Sequence, residues 1–145
     1  MDRIFAAVFG LLLFFCSVCN AYAPEGHLYV TMFDVEQGDS FLIETPAQNI
    51  LLDTGDVSTR TTLVDKLKAA GITRLERIIL THPHADHIGG TRAVLDNFSV
   101  DEILDNGQSS PSPLYRDYRT AELPFNSLKA GDILDCGGGV KFKVL

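Results

Sequence analysis

The chain has 145 residues, 46% of them hydrophobic and 21% charged, with a net charge of -7. This composition suits one domain with a packed core and excludes a wholly disordered chain. The acidic balance supplies no strong basic patch, so overall charge gives no general grip on nucleic acid, although a bound divalent metal would invert the sign locally.

Residues 1–23 read as a signal peptide. Arg3 and the amino terminus carry positive charge, residues 4–19 are almost wholly apolar, and Ala21-Tyr22-Ala23 has the small-residue spacing of a cleavage site, so cleavage is expected after Ala21 or Ala23. The alternative is an uncleaved N-terminal membrane anchor, for which the run is short against a span of about 20 residues. Cleavage would make the protein secreted or periplasmic, with no stable membrane partner. Cys16 and Cys19 belong to the leader, and Cys136 then stands alone, so export implies no disulfide framework here.

After the leader, β-branched and aromatic residues from His27 to Val35 predict a strand. Gln37-Gly38-Asp39 is a turn, Ser40–Thr45 a second strand and Ile50–Asp53 a third, together an antiparallel meander. Ser58 or Thr59 is expected to cap a helix carrying Leu63, Leu67 and Ala70, stopped by Gly71. Leu75–Leu80 is a buried strand. Gly89-Gly90 allows a tight turn into a second helix over Thr91–Phe98, and Val100–Leu104 is another strand. Residues 106–113 form a loop, and Leu114–Thr120 a short helix. Ile133–Asp135 and Val140–Leu145 pair as a hairpin around Gly137-Gly138-Gly139. Tyr115, Arg116, Tyr118 and Arg119 interleave aromatics with positive charge, which could meet a nucleic-acid strand, but a solvated helix with one buried tyrosine fits better.

Chemistry concentrates in Thr81-His82-Pro83-His84-Ala85-Asp86-His87, which holds three of the four histidines. Imidazole nitrogens and a carboxylate oxygen are good ligands for zinc and similar divalent ions. On an extended segment His82 and His84 point the same way and can reach one metal. Asp86 and His87 follow a turn and can reach a second position. Two ions there, zinc or another divalent metal, would activate a water for attack on an ester, amide or phosphodiester. His27 reads as a surface residue and Cys136 as a packing residue.

The run His82-Pro83-His84-Ala85-Asp86-His87 resembles the signature of the metallo-β-lactamase superfamily. The resemblance implies an α+β fold, the αβ/βα sandwich, with a mostly antiparallel or mixed sheet and two or three helices. It places His82 and His84 at a first zinc, Asp86 and His87 at a second, and gives Asp86 a catalytic part in orienting the attacking water. Leu51-Leu52-Asp53-Thr54-Gly55 resembles the family's earlier motif, which implies that Asp53 steadies the ligand loop from behind. Phe33 to Ser40 is similar to the opening of a branch that includes the C-terminal domain of competence DNA-uptake channel proteins; that branch has glycine where this chain has Glu36. Asp39 and Ser40 are candidates for facing the site. The family takes further ligands from its second half, and no histidine follows His87. Residues 24–145 thus read as the N-terminal half of the sandwich, incomplete at the C terminus.

The function expected is an exported zinc-dependent hydrolase of a phosphodiester or related ester, in nucleic-acid uptake or degradation. The substrate would be a small molecule or a nucleic acid. Hydrolysis of a lactam, lactone or thioester is the alternative, and a truncated, non-catalytic metal-binding module is the reading from outside enzymes.

Overall fold

The central strands bury consecutive residues, which makes both faces of one sheet apolar. The computed structural model describes residues 20–145, so most of the leader, with its Cys16/Cys19 pair, lies outside the described residues. Strands β1 (Tyr29–Met32), β2 (Phe41–Glu44) and β3 (Asn49–Leu52) form the expected antiparallel meander. Strands β4 (Arg74–Leu80), β5 (Ser99–Asp105) and β6 (Phe125–Ser127) then add in parallel, so the sheet is mixed and runs in sequence order from β1 to β6. β6 is absent from the sequence reading. It has only three residues, and it pairs with the C-terminal end of β5.

Leu51, Ile78 and Ile103 are register partners, as are Leu52, Ile79 and Leu104 one residue on. Side chains alternate across a strand, so the two rows face opposite sides. The first row meets Leu63, Leu67 and Val94 from helices α1 (Arg60–Ala69) and α3 (Thr91–Asn97), with Tyr118 from α4 (Pro113–Arg119). The second row, with Ile43, Ile50 and Cys136, lies under a separate hairpin of β7 (Ile133–Asp135) and β8 (Lys141–Lys143). Burial on both sides explains why β4 ends in an unbroken apolar run. Arg77 ties the hairpin to the sheet: its guanidinium pairs with Glu102 at 2.5 Å and donates to the Asp135 carbonyl at 2.6 Å.

The entry to the first helix differs in detail from the expectation. Thr59 holds the N-cap position of α1, as expected, but its side chain makes no capping bond. Asp56 accepts from the Ser58 N–H at 2.9 Å and opens a short 3-10 turn, Val57–Thr59, that leads into α1. Asp101 and Glu102 pair with Arg74 and Arg77 across β4 and β5, the first pair exposed and the second half-buried. No helix among the described residues is long and apolar enough to cross a membrane.

Asn20–Ala23 straps across the base of the sheet. The Asn20 side chain accepts from Thr73 and Arg74 backbone N–H groups at 2.7 and 3.1 Å. Asn49 donates to the Ala21 carbonyl, Tyr22 donates to Glu76, and the Ala23 N–H donates to Thr45. The strap lies beside the start of β4, at the pole opposite the strand ends that carry the histidines.

Candidate metal centre

β3 and β4 are parallel neighbours, so Asp53 and Thr81 leave the sheet at the same rim. The Asp53 N–H still donates to the Ile79 carbonyl at 2.9 Å. Asp53 then turns into the left-handed region at φ 55, a conformation that aspartate tolerates better than most residues. Its buried carboxylate accepts three bonds: from the Thr81 N–H at 2.8 Å, from the Thr81 hydroxyl at 2.6 Å and from His87 Nδ1 at 2.8 Å.

The histidine run is not one extended segment. The chain bends at Thr81 and His82, His84 is extended, and a helical turn, α2 (Ala85–Ile88), follows with His84 as its N-cap residue. The His82 and His84 rings stand 4.6 Å apart edge to face, and the His82 and His87 rings 4.0 Å apart. His87 Nε2 is 3.9 Å from an Asp86 carboxylate oxygen. Gln37 also reaches that oxygen, at 3.5 Å.

The turn is fastened to the β3 loop by backbone contacts. The Thr54 N–H and hydroxyl both donate to the His87 carbonyl, at 2.7 and 2.9 Å. A Cβ at residue 90 would sit 2.3 Å from the Thr54 carbonyl oxygen. Gly89 and Gly90 make the expected turn between α2 and the next helix, and Gly90, at an ordinary negative φ, also serves close approach between two backbones.

Of the candidates from the β1–β2 turn, Asp39 is exposed and lies 3.9 Å from His87 Nδ1. Asp39, Asp53 and His87 form a group of three whose ligand atoms all lie within 4.8 Å of one another. Physical chemistry argues against that trio as the place for an ion. Asp53 already holds three donors, one of them His87 Nδ1, so that nitrogen has no bare lone pair to give and the carboxylate keeps about one. Ser40 is fully buried and its hydroxyl donates to the Asp53 carbonyl at 3.1 Å. His27 is exposed at the opposite pole and Cys136 is buried in the hairpin core.

A divalent ion fits the donors that remain. The His82 ring lies against both the His84 and His87 rings, and an Asp86 carboxylate oxygen is 3.9 Å from His87 Nε2, with the buried Asp53 carboxylate behind His87. Thr81 and Gln37 are the two functional neighbours that sequence reasoning missed. Thr81 adjoins the motif, but its partner is 28 residues away and invisible locally. The aromatic and basic residues of α4 do not make a stacking strip. Tyr118 is 2% exposed with its hydroxyl toward Asp105, and Arg119 lies over the Phe125 ring at 3.6 Å.

The chain belongs to the metallo-beta-lactamase superfamily, whose profile matches residues 33–139. It is similar to competence protein ComA of Neisseria gonorrhoeae, 41% identical over 85 residues that cover 58% of this chain and 12% of that protein. It is also similar to ComE operon protein 3 of Bacillus subtilis, 26% identical over 85% of this chain and 18% of that protein. The chain thus spans less than a fifth of the length of these curated relatives. Among solved structures it resembles MEM-A1, a subclass B3 metallo-beta-lactamase from a soil metagenome library, with TM-score 0.57 and 22% identity over 80% of this chain and 48% of that one. At that identity the likeness concerns the fold.

Proposed function

We propose that the chain carries the metal-binding rim of an exported hydrolase that acts on a phosphodiester or related ester. The observation that carries this reading is the clustering of the His82, His84 and His87 rings with Asp86, above a buried Asp53 that accepts three hydrogen bonds. His82, His84, Asp86 and His87 would hold zinc, one ion or two. When bound, the metal acts as a Lewis acid and lowers the pKa of a coordinated water toward about 7.

The protein's own residues hold and orient. Asp53 fixes the His87 ring through Nδ1. Asp86 stands at the open side of the cluster, where its carboxylate can orient a water, and Gln37 steadies one of its oxygens. Asp39 adds negative charge near His87 at the mouth. A divalent ion would offset this local charge and admit an anionic substrate. The competence relatives favour a nucleic acid over a lactam or thioester. The apolar leader favours export or anchoring at a membrane surface.

The test compares zinc-dependent turnover of a generic phosphodiester, single-stranded DNA, a chromogenic lactam and an acyl-lactone. The phosphodiester or DNA is expected to be cleaved fastest, with activity lost in His84→Ala and kept in His27→Ala. Equal rates in the two variants would remove the site assignment. Preference for the lactam or lactone would overturn the substrate class.

A further inference from the structure

We infer that Thr81 is a positioning residue that sets the proton on His82. A hydroxyl has one hydrogen to donate. That of Thr81 goes to Asp53 Oδ2 at 2.6 Å, where the carboxylate accepts. The Thr81 oxygen also lies 3.0 Å from His82 Nδ1. With its own hydrogen committed, it meets that nitrogen as an acceptor, so His82 carries its proton on Nδ1 and leaves Nε2 bare. His87 is fixed the same way but directly, because Asp53 Oδ2 accepts from its Nδ1 at 2.8 Å. One buried carboxylate thereby sets two neighbouring imidazoles, the first through Thr81 and the second without it.

The hydroxyl is not needed to hold the loop. The Thr81 N–H already bonds Asp53 Oδ1 at 2.8 Å, and Thr81→Val and Thr81→Ser both keep that donor. What the hydroxyl adds is the direction of a proton. A histidine ligand must present an unprotonated nitrogen, and the group on its other nitrogen decides which one that is. The two rings stand 4.0 Å apart, so matched tautomers leave a bare Nε2 on each of two adjacent imidazoles. The consequence for a cation rests on the proposed metal site; the tautomer assignment stands on the hydrogen bonds alone.

The experiment uses metal-free, isotope-labelled full-length chain at alkaline pH, where imidazoles are neutral, and reads ring-nitrogen chemical shifts. In the wild type, His82 and His87 are both expected to show a protonated Nδ1 and a bare Nε2. In Thr81→Val, His82 moves toward the Nε2-protonated form while His87 does not change, an internal control that also reports intact folding. Thr81→Ser restores the wild-type pattern. Zinc alone, titrated into the same samples, is expected to bind ~10–100-fold more weakly to Thr81→Val and normally to Thr81→Ser. A wild-type His82 protonated on Nε2, or a His82 signal unmoved by Thr81→Val, overturns the assignment. If Thr81→Val does not fold, the wild-type and Thr81→Ser shifts still decide it. Failure of zinc to bind the wild type would remove the metal site and leave the tautomer result standing.

Discussion

Gly38 lies directly against the backbone of Asp86: a Cβ at position 38 would fall 1.7 Å from the Asp86 carbonyl oxygen. The β1–β2 turn thus packs on the helical turn that carries two of the proposed ligands. Gly38 also has φ 94, outside the range of ordinary side chains. Gly38→Ala must push the two backbones apart and strain its own. Overpacking of about 1–3 kcal/mol and left-handed strain of about 1–2 kcal/mol predict a loss near 3 kcal/mol in chemical denaturation. An unchanged midpoint would mean that this contact is not made.

Glu36 gives the opposite case in the same turn. It holds φ 60 without being glycine, at the position where the branch this chain resembles has glycine. Glu36→Gly relieves about 1–2 kcal/mol of backbone strain and loses about 0.5–1 kcal/mol to unfolded-chain entropy, for a net gain of roughly 0.5–1 kcal/mol. The bond from its N–H to Asp34 is untouched by the change. A thermal melt that rises by a few degrees fits; a drop would show that the Glu36 side chain has a partner worth more than the strain.

Asn20 joins the strap to the start of β4 with side-chain bonds to both Thr73 and Arg74. Asn20→Ala should cost about 1–2 kcal/mol, since more than one bond is lost at an exposed site. Cleavage after Ala21 or Ala23 would remove this residue from the fold. A chain beginning at Pro24 should therefore melt below one beginning at Asn20, and equal melting temperatures would make the strap incidental.

Burial pushes the Cys136 thiol up, against a smaller opposing pull from Arg77. A raised thiol favours its neutral form in the folded state. The linked stability is full below the ordinary thiol pKa of about 8.5 and declines as pH rises past it. Denaturation midpoints of a chain starting at Asn20 should fall above that pH, and Cys136→Ala should flatten the decline. Alkylation should follow unfolding rather than thiol ionisation, because the side chain is 0% exposed. Rapid labelling of the folded protein would contradict the burial.

Much of this was legible locally. Leu63 and Leu67 declared the helix, Ile78-Ile79-Leu80 declared a strand buried on both faces, and the His82–His87 run declared the chemistry. What was hidden depends on distance along the chain. Asp56 takes the cap because its carboxylate sits where the chain enters the 3-10 turn, and Ser58 is its donor. β6 is three residues whose strand character comes from pairing with β5. Ser40 looked like a site residue by its place beside Asp39, yet just before β2 it is buried with its hydroxyl on the Asp53 carbonyl. Thr81 gave no signal, because its role exists only once β3 and β4 set Asp53 beside it.

The direct measurement is zinc affinity of the metal-free chain by calorimetry, for wild type, His82→Ala, His84→Ala, His87→Ala and His27→Ala. The convergence of three imidazoles and Asp86 predicts tight binding in the wild type and in His27→Ala, and a loss of more than ~10-fold in each of the other three. Equal affinity in all five proteins would contradict it.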